Sequence, residues 1–218
     1  TYLKNKEIIY STGNSKALVN DIIVNADEFV YKKDSNELKA TGNVEVIDKL
    51  STDRIFSNSI TYLKNKEIIY STGNSKALVN NLVINGDVLE FKKKNNVFKI
   101  KKNVRIDDIK NNNSLFSDHI VYNKNKETFF SKGSTKAIID QRYNFYSSNL
   151  YYLRNELEIY SNDRSEIKDK INHYKLSKFN YDIFKKELVG EKILVTTNYK
   201  LPKSDKYFFD TGFFNLKK

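Results

Sequence analysis

One twenty-residue stretch, TYLKNKEIIYSTGNSKALVN, stands at Thr1–Asn20 and again, letter for letter, at Thr61–Asn80. A looser third copy, VYNKNKETFFSKGSTKAIID, begins at Val121. A fixed period in sequence means one structural unit stacked on itself, so this repeat limits the fold more than any single motif. Packing does not demand identity on a wet face as well as a buried one, so the exact copy reads as a duplication. The weaker repeats carry the structural argument. Aromatic residues mark a half-period near thirty residues: Tyr2, Tyr31, Tyr62, Phe91, Tyr122, Tyr152 and Tyr181. Eleven positions after the first six come Gly13, Gly42, Gly73, Lys102, Gly133 and Asp163. The seventh has Gly190 after nine, which predicts a shortened last repeat.

Within the half-repeat the pattern is that of a hairpin. KNK at Lys4–Lys6, DSN at Asp34–Asn36, KKNN at Lys93–Asn96 and RNE at Arg154–Glu156 are short polar links between apolar runs. Asn and Asp tolerate the left-handed backbone that tight turns need. The flanks alternate: Leu38, Ala40, Gly42, Val44 and Val46 share one face, and Glu37, Lys39, Thr41, Asn43 and Glu45 the other. Phe98, Ile100, Val104 and Ile106 repeat the first face against Lys99, Lys101, Asn103 and Arg105. Period-two alternation sustained this long predicts half-buried strands and no helix of significance. Lys168–His173 has only the look of a short helical turn. The chain therefore reads as all-β, with about fifteen long antiparallel strands in one elongated, repeat-built domain spanning residues 1–218. The recurring glycines mark places where a strand bends or another backbone comes close.

Hydrophobic content of 39% suits a thin architecture whose strands each keep one wet face. The net charge of +11 admits an anionic partner, but the lysines follow turns and strand faces and form no dense block. Exposed lysine on strands also discourages edge pairing. No cysteine is present, which excludes disulfides and thiol chemistry, and no apolar run is long enough to cross a bilayer as a helix. The chain lacks methionine and begins inside a repeat, as a segment of a longer protein would. His119 and His173 share no metal-binding spacing, the carboxylates Asp27, Asp87 and Asp107 are scattered by repeat, and no nucleophile or phosphate-loop motif occurs. These features argue against an enzyme and imply neither cofactor nor metal. Tyr143, Phe145, Tyr146, Tyr151 and Tyr152 resemble a base-stacking platform. The same aromatics recur throughout at the repeat spacing, so sheet interior is the better reading and nucleic acid is not an expected partner.

The segments NADEFVYKKDSNELKATGNVEVIDK, Asn25–Lys49, and SNSITYLKNKEIIYSTGNSKA, Ser57–Ala77, closely resemble OstA-type repeats of the lipopolysaccharide-transport proteins. Ala26, Asp27, Tyr31, Leu38, Ala40, Gly42, Asn43 and Val44 match that pattern position by position. The match weakens around Phe91–Ile106, where Lys102 replaces the glycine, and around Tyr152–Ile167. The tail Asn198–Leu216 looks more like the periplasmic N-terminal domain of the assembly protein LptD than the soluble bridge LptA. The resemblance implies an OstA/LptA-like β-jellyroll whose two facing sheets enclose a groove for the acyl chains of lipopolysaccharide. It implies a non-enzymatic conduit in the periplasm, attached to the outer membrane in the full-length protein. Partners would be an LptA-like bridge paired through an edge strand and an LptE-like outer-membrane lipoprotein.

On that reading the apolar face of Leu38, Val44, Val46, Ile69, Val79, Phe98, Ile100, Val104, Ile106, Phe129 and Ile139 lines an open lipid trough. Ala40, Ser71, Gly73, Ala77 and Ala137 leave room in it. Burying a methylene is worth about 0.8 kcal/mol, so affinity for a long chain needs no polar pocket. The partner edge is expected at Tyr2, Leu3, Ile8, Ile9 and Tyr10, while Pro202 and Lys217–Lys218 are expected to protect the other end. Two alternatives share the pattern: a soluble LptA-like bridge, and a structural β-repeat protein without lipid.

Overall fold

The computed structural model describes residues 2–3 and 7–217; the expected turn at Lys4–Lys6 and the side chains of Tyr2 and Leu3 lie outside that description. The chain forms two compact units, residues 1–110 and 111–218, each taken by itself below. The first contains β1 (Tyr2–Leu3), β2 (Ile8–Val19), β3 (Ile22–Lys32), β4 (Glu37–Asp48), β5 (Arg54–Leu63), β6 (Ile68–Val79), β7 (Leu82–Lys92) and β8 (Val97–Asp108). Each pairs antiparallel with the next, in chain order. The links are tight turns closed by a left-handed residue, such as Asn36, Glu67 and Asn96, the last two ending single turns of 3₁₀ helix.

Every ladder from β2 to β8 breaks register at one level. The shifts fall between Thr12 and Ser15, Thr41 and Val44, and Thr72 and Ser75 on the even strands. Each even strand carries one residue more than its neighbour there, which is a β-bulge; bulges bend a strand and sharpen its twist. Gly13, Gly42 and Gly73 occupy the bulge at φ of +77°, +75° and +80°, each followed by a left-handed Asn. The glycines that punctuate the sequence thus form one crease across the ladder. Lys102 and Asn103, at +61° and +51°, continue it in β8 without glycine.

The crease folds the ladder into two limbs. Limb A holds residues 8–12, 28–32, 37–41, 59–63, 68–72, 88–92 and 97–101; limb B holds the other half of each strand. The limbs face each other: Ile69, Phe91 and Phe98 of limb A line the same small internal space as Ile22, Val46 and Ile55 of limb B. Lys93 meets Asp48 at 3.4 Å across their free margins. Burial alternates along both limbs, as in β6, where Ile69, Ser71, Ser75, Ala77 and Val79 are buried and Tyr70 and Lys76 are exposed. The half-period of the sequence becomes a transverse inner row, Ile9–Tyr31–Leu38–Tyr62–Ile69–Phe91–Phe98, each residue registered on the next. Limb B answers with Ala17–Val24–Val46–Ile55–Ala77–Ile84–Ile106.

The second unit repeats the plan with β9 (Asn113–Asn123), β10 (Thr128–Ile139), β11 (Tyr143–Leu153), β12 (Glu158–Ser161), β13 (Ser165–Lys168), β14 (His173–Leu176), β15 (Lys178–Asp182), β16 (Glu187–Thr196) and β17 (Lys206–Asn215). β12 and β13 are one long strand interrupted at the crease. β12 pairs with the limb A half of β11 and β13 with its limb B half. β14 and β15 are divided likewise at Ser177. Counted as continuous strands these give the expected fifteen. The inner row is Tyr122–Phe129–Tyr152–Ile159–Tyr181–Leu188–Phe214. Phe145 of limb B reaches Phe179 and Tyr181 of limb A at ring distances of 5.4 and 5.3 Å. The fold is the all-β jellyroll with facing layers that the sequence led us to expect.

Three local expectations change. The last repeat is not shortened: the left-handed residue in β16 is Lys192 at φ +50°, eleven after Tyr181, and Gly190 faces inward on limb A. A side chain at Gly190 would meet Leu176 Cδ2 at 2.4 Å, so this glycine serves close packing and not the bend. Residues 169–172 form a turn between β13 and β14 rather than a turn of helix. Pro202 lies in the 197–205 connection and leaves β17 a full-length strand, so it does not interrupt the ladder.

Candidate functional site

The eleven residues expected to line a trough all lie on the inner face. Leu38, Ile69, Phe98 and Ile100 project from limb A and Val44, Val46, Val79, Val104 and Ile106 from limb B in the first unit. Phe129 and Ile139 hold the corresponding positions in the second. None is more than 3% exposed. Ala40, Ser71, Ala77 and Ala137 join them, fully covered, whereas Gly73 stands exposed on the crease and lines nothing. Within a limb neighbouring rings stack, as in Phe91–Phe98 and Tyr122–Phe129 at 4.1 and 4.4 Å, and across the limbs Phe145 meets Phe179 and Tyr181, while only a small space separates Ile69, Phe91 and Phe98 from Ile22, Val46 and Ile55. The interior is a filled seam, not an open channel.

Open space begins where the seam loses a neighbour. At the β2 end of the first unit a cavity of about 470 Å³ is lined by Ile9, Ala17, Val19, Phe29, Tyr31 and Leu38, with Lys16 and Lys64 at its rim. The duplicated sequence makes the cause explicit. Ile69 in the second copy is 1% exposed, and Ile9 in the first is 45% exposed. Ala77 and Val79 are buried, while Ala17 and Val19 are only half-buried. Among the described residues, the same amino acids form a sealed core where full strands flank both sides and an apolar mouth where one full strand flanks them. The mouth is therefore a property of position in the ladder, which no local motif could reveal.

Polar groups near the seam are engaged in hydrogen bonds that stabilise the fold. A row of hydroxyls follows the crease: Ser11–Ser15 and Ser71–Ser75 at 2.6 Å, Thr135 to Ser131 at 2.8 Å and Ser147–Ser161 at 2.7 Å. They reach carbonyls the bulges leave outside the ladder; Ser57, for example, donates to Thr72 O at 2.8 Å. Buried polar groups must be satisfied, and small hydroxyl residues do this at the tightest point of the fold. Burial, with Glu67 nearby, pushes the Tyr62 hydroxyl above its ordinary pKa. Burial raises Tyr174 to about 12. Both remain neutral phenols that can pack between the limbs. Among the described residues no group of His, Cys, Asp or Glu is arranged to hold a metal. His173 is occupied by Glu166, 3.0 Å from its Nε2.

The edges differ from expectation in emphasis. β1 pairs with β2 only at Tyr2–Ile9 and Leu3–Ile8, so among the described residues Tyr10–Val19 has a ladder partner on one side only, β3. Ile9 and Tyr10 are exposed and Ile8 is half-buried. At the other end β17 pairs with β16 and exposes Tyr207, Phe208 and Phe213. Pro202, expected to protect this end, lies outside the strand, and Lys218 lies outside the described residues.

The family comparison follows this geometry. Residues 1–108 match the model of the lipopolysaccharide-assembly, LptC-related family. The crystal structure of LptH, the LptA homologous periplasmic component of the conserved lipopolysaccharide transport device from Pseudomonas aeruginosa, aligns with 74% of this chain and 97% of its own. Identity is 10% and the TM-score 0.29, too low for either fold or function to rest on it. No curated protein matches. Residues 1–108, with their OstA-like repeats, are thus similar to the LptC-related lipopolysaccharide-assembly family.

Proposed function

We propose that the chain is a non-enzymatic, periplasmic bridge segment that passes lipopolysaccharide toward the outer membrane, with acyl chains taken up between the two limbs. The observation that carries this reading is the apolar mouth at Ile9, Phe29 and Leu38, continuous with the inner face of a seam made almost wholly of apolar side chains. An acyl chain gains about 0.8 kcal/mol per methylene by leaving water, and such a mouth offers that burial without a specific polar contact. Lys16 and Lys64 at the rim suit the phosphates of a lipid headgroup. The filled interior means that lipid enters by parting the limbs about the crease, with Lys93–Asp48 as a clasp on the free margin.

Strand edges supply the partner contacts in this reading. An unpaired edge recruits another strand through main-chain hydrogen bonds. The Tyr2, Leu3, Ile8, Ile9 and Tyr10 edge would receive a partner of the same fold and align its seam with this mouth. Exposed aromatics on β17 offer a surface for a second partner.

The test is photocrosslinking from neighbouring positions. Ile9 is 45% and Tyr10 39% exposed, so access is matched, yet they point to opposite faces of the strand. A photoreactive residue at position 9 is expected to capture lipopolysaccharide, and one at 10 is not. Deeper in, position 104 should crosslink where position 105 does not. Equal capture from both members of each pair overturns the assignment.

A further inference from the structure

A cavity of about 690 Å³ in the second unit lies at the crease and not in the apolar seam. It opens where the strands are interrupted, at 162–164 between β12 and β13 and at Ser177 between β14 and β15. Tyr146, Leu176 and Leu194 form an apolar floor, and Ser134 and Ser148 contribute hydroxyls to the wall, whereas the Ser177 hydroxyl donates to Glu191 O at 3.0 Å. Arg164, Lys175 and Lys192 line it as well. Two more ammonium groups stand over the Tyr146 ring, Lys168 at 5.2 Å and Lys136 at 5.9 Å from its centroid.

Charge here is not balanced. The acidic groups facing these cations are Glu166, which takes Lys168 at 2.8 Å, His173 at 3.0 Å and Lys175 at 3.8 Å, and Asp210, which takes Lys192 at 2.7 Å. One carboxylate shared three ways leaves Lys175 weakly held. Asp163, beside Arg164 in sequence, is turned to Asn149 at 2.6 Å. Arg164 has a planar fork of donors, which suits the oxygens of a phosphate better than a point charge does.

We propose that this cavity binds a phosphomonoester, with Arg164 and Lys175 on the phosphate, the Ser134 and Ser148 hydroxyls on its remaining oxygens, and Tyr146 and Leu194 beneath the group it is attached to. The floor excludes a bare ion as the best ligand, because inorganic phosphate leaves the apolar surface uncovered. A phosphorylated sugar fills both parts, whether free in solution or as the headgroup of a lipid. The site is separate from the seam and lies in the unit that the LptC-related match does not reach.

The test uses the whole chain and three probes: inorganic phosphate, glucose 1-phosphate, and a phosphorylated glycolipid in neutral detergent. Binding is followed by titration calorimetry and by chemical-shift changes. Glucose 1-phosphate is expected to bind at least tenfold more tightly than phosphate. Arg164→Gln with Lys175→Gln should weaken it at least tenfold, while Lys39→Gln with Lys76→Gln, removing equal charge from the first unit, should leave it unchanged. Affinity should also fall with salt. Comparable affinity for the soluble sugar phosphate and the glycolipid assigns a free ligand; preference for the glycolipid that survives in the Ile9→Glu variant assigns a lipid headgroup read independently of the mouth. Absence of Arg164-dependent binding to all three probes, or equal weakening by the control pair, overturns the proposal. Crosslinking from position 9 is a separate measurement, so failure here leaves the seam assignment standing.

Discussion

The duplicated stretch allows a matched pair of substitutions, Ile9→Ala and Ile69→Ala. Each removes the same atoms from the same twenty-residue sequence, so local propensity cancels. Ile69 is 1% exposed and packs beside Phe91 in the closed part of the seam. Truncation there loses about 2.4 kcal/mol of transfer free energy, at about 0.8 kcal/mol per carbon, and leaves a cavity among rigid neighbours. A loss of about 3–4 kcal/mol is expected. Ile9 is 45% exposed and already borders open space, so roughly half the transfer contribution remains and no new cavity forms. About 1 kcal/mol is expected. Urea unfolding followed by tyrosine fluorescence gives both values, with hydrogen exchange in β2 to catch local opening that global unfolding misses. Losses equal within about 0.5 kcal/mol would refute the claim that ladder position, and not sequence, separates core from mouth.

Other outcomes follow from the crease and the second unit. Gly13, Gly42 and Gly73 share one backbone conformation, but an added Cβ meets nothing at Gly13, Asn58 at 3.1 Å at Gly73, and Asp27 at 2.3 Å at Gly42. Alanine is therefore expected to cost about 1 kcal/mol at Gly13, slightly more at Gly73 and about 3 kcal/mol at Gly42, measured by thermal unfolding; a flat series would show that the crease is not closely packed. Tyr181 is buried with no hydrogen-bond partner for its hydroxyl, whereas Tyr143 donates to Leu216 O at 2.9 Å. Tyr181→Phe should stabilise the second unit by about 1 kcal/mol and Tyr143→Phe should destabilise it by a similar amount, the opposite signs being the check. Burial, aided by the Lys168 charge, holds His173 below the ordinary histidine value of 6.5. The unfolded chain thus binds the extra proton first, and stability should fall as pH drops through that value. The Lys168 hydrogen bond holds Glu166 below 4.5, so a further loss should follow as pH falls past that point. His173→Gln should flatten the upper part of a stability–pH profile and leave the lower part in place.

Much of the fold follows from the sequence because stacking one unit repeats its local rules. Alternation in Leu38–Val46 and Phe98–Ile106 assigned the inner face, since period two leaves a strand only two faces to choose between. The thirty-residue aromatic step became the transverse row through Tyr31, Tyr62 and Phe91, because antiparallel neighbours of equal length bring equivalent positions into register. Gly-Asn marked the bend, as only residues tolerant of left-handed backbone recur at a bulge. Glycine was an imperfect marker: Lys102 and Lys192 accept the same conformation, and Gly190 is needed for space beside Leu176. What the sequence could not specify is everything that depends on how many neighbours a strand has. Identical residues are sealed at Ile69 and open at Ile9, the seam is filled instead of hollow, and β17 exposes Tyr207 and Phe209 at inner-face positions that elsewhere in the pattern are core. The crease cavity beside Arg164 is of the same kind, formed where two strands break at one level. Burial and cavity volume are set by the atoms that surround a side chain, and those come from segments distant in sequence, so only the tertiary structure decides them.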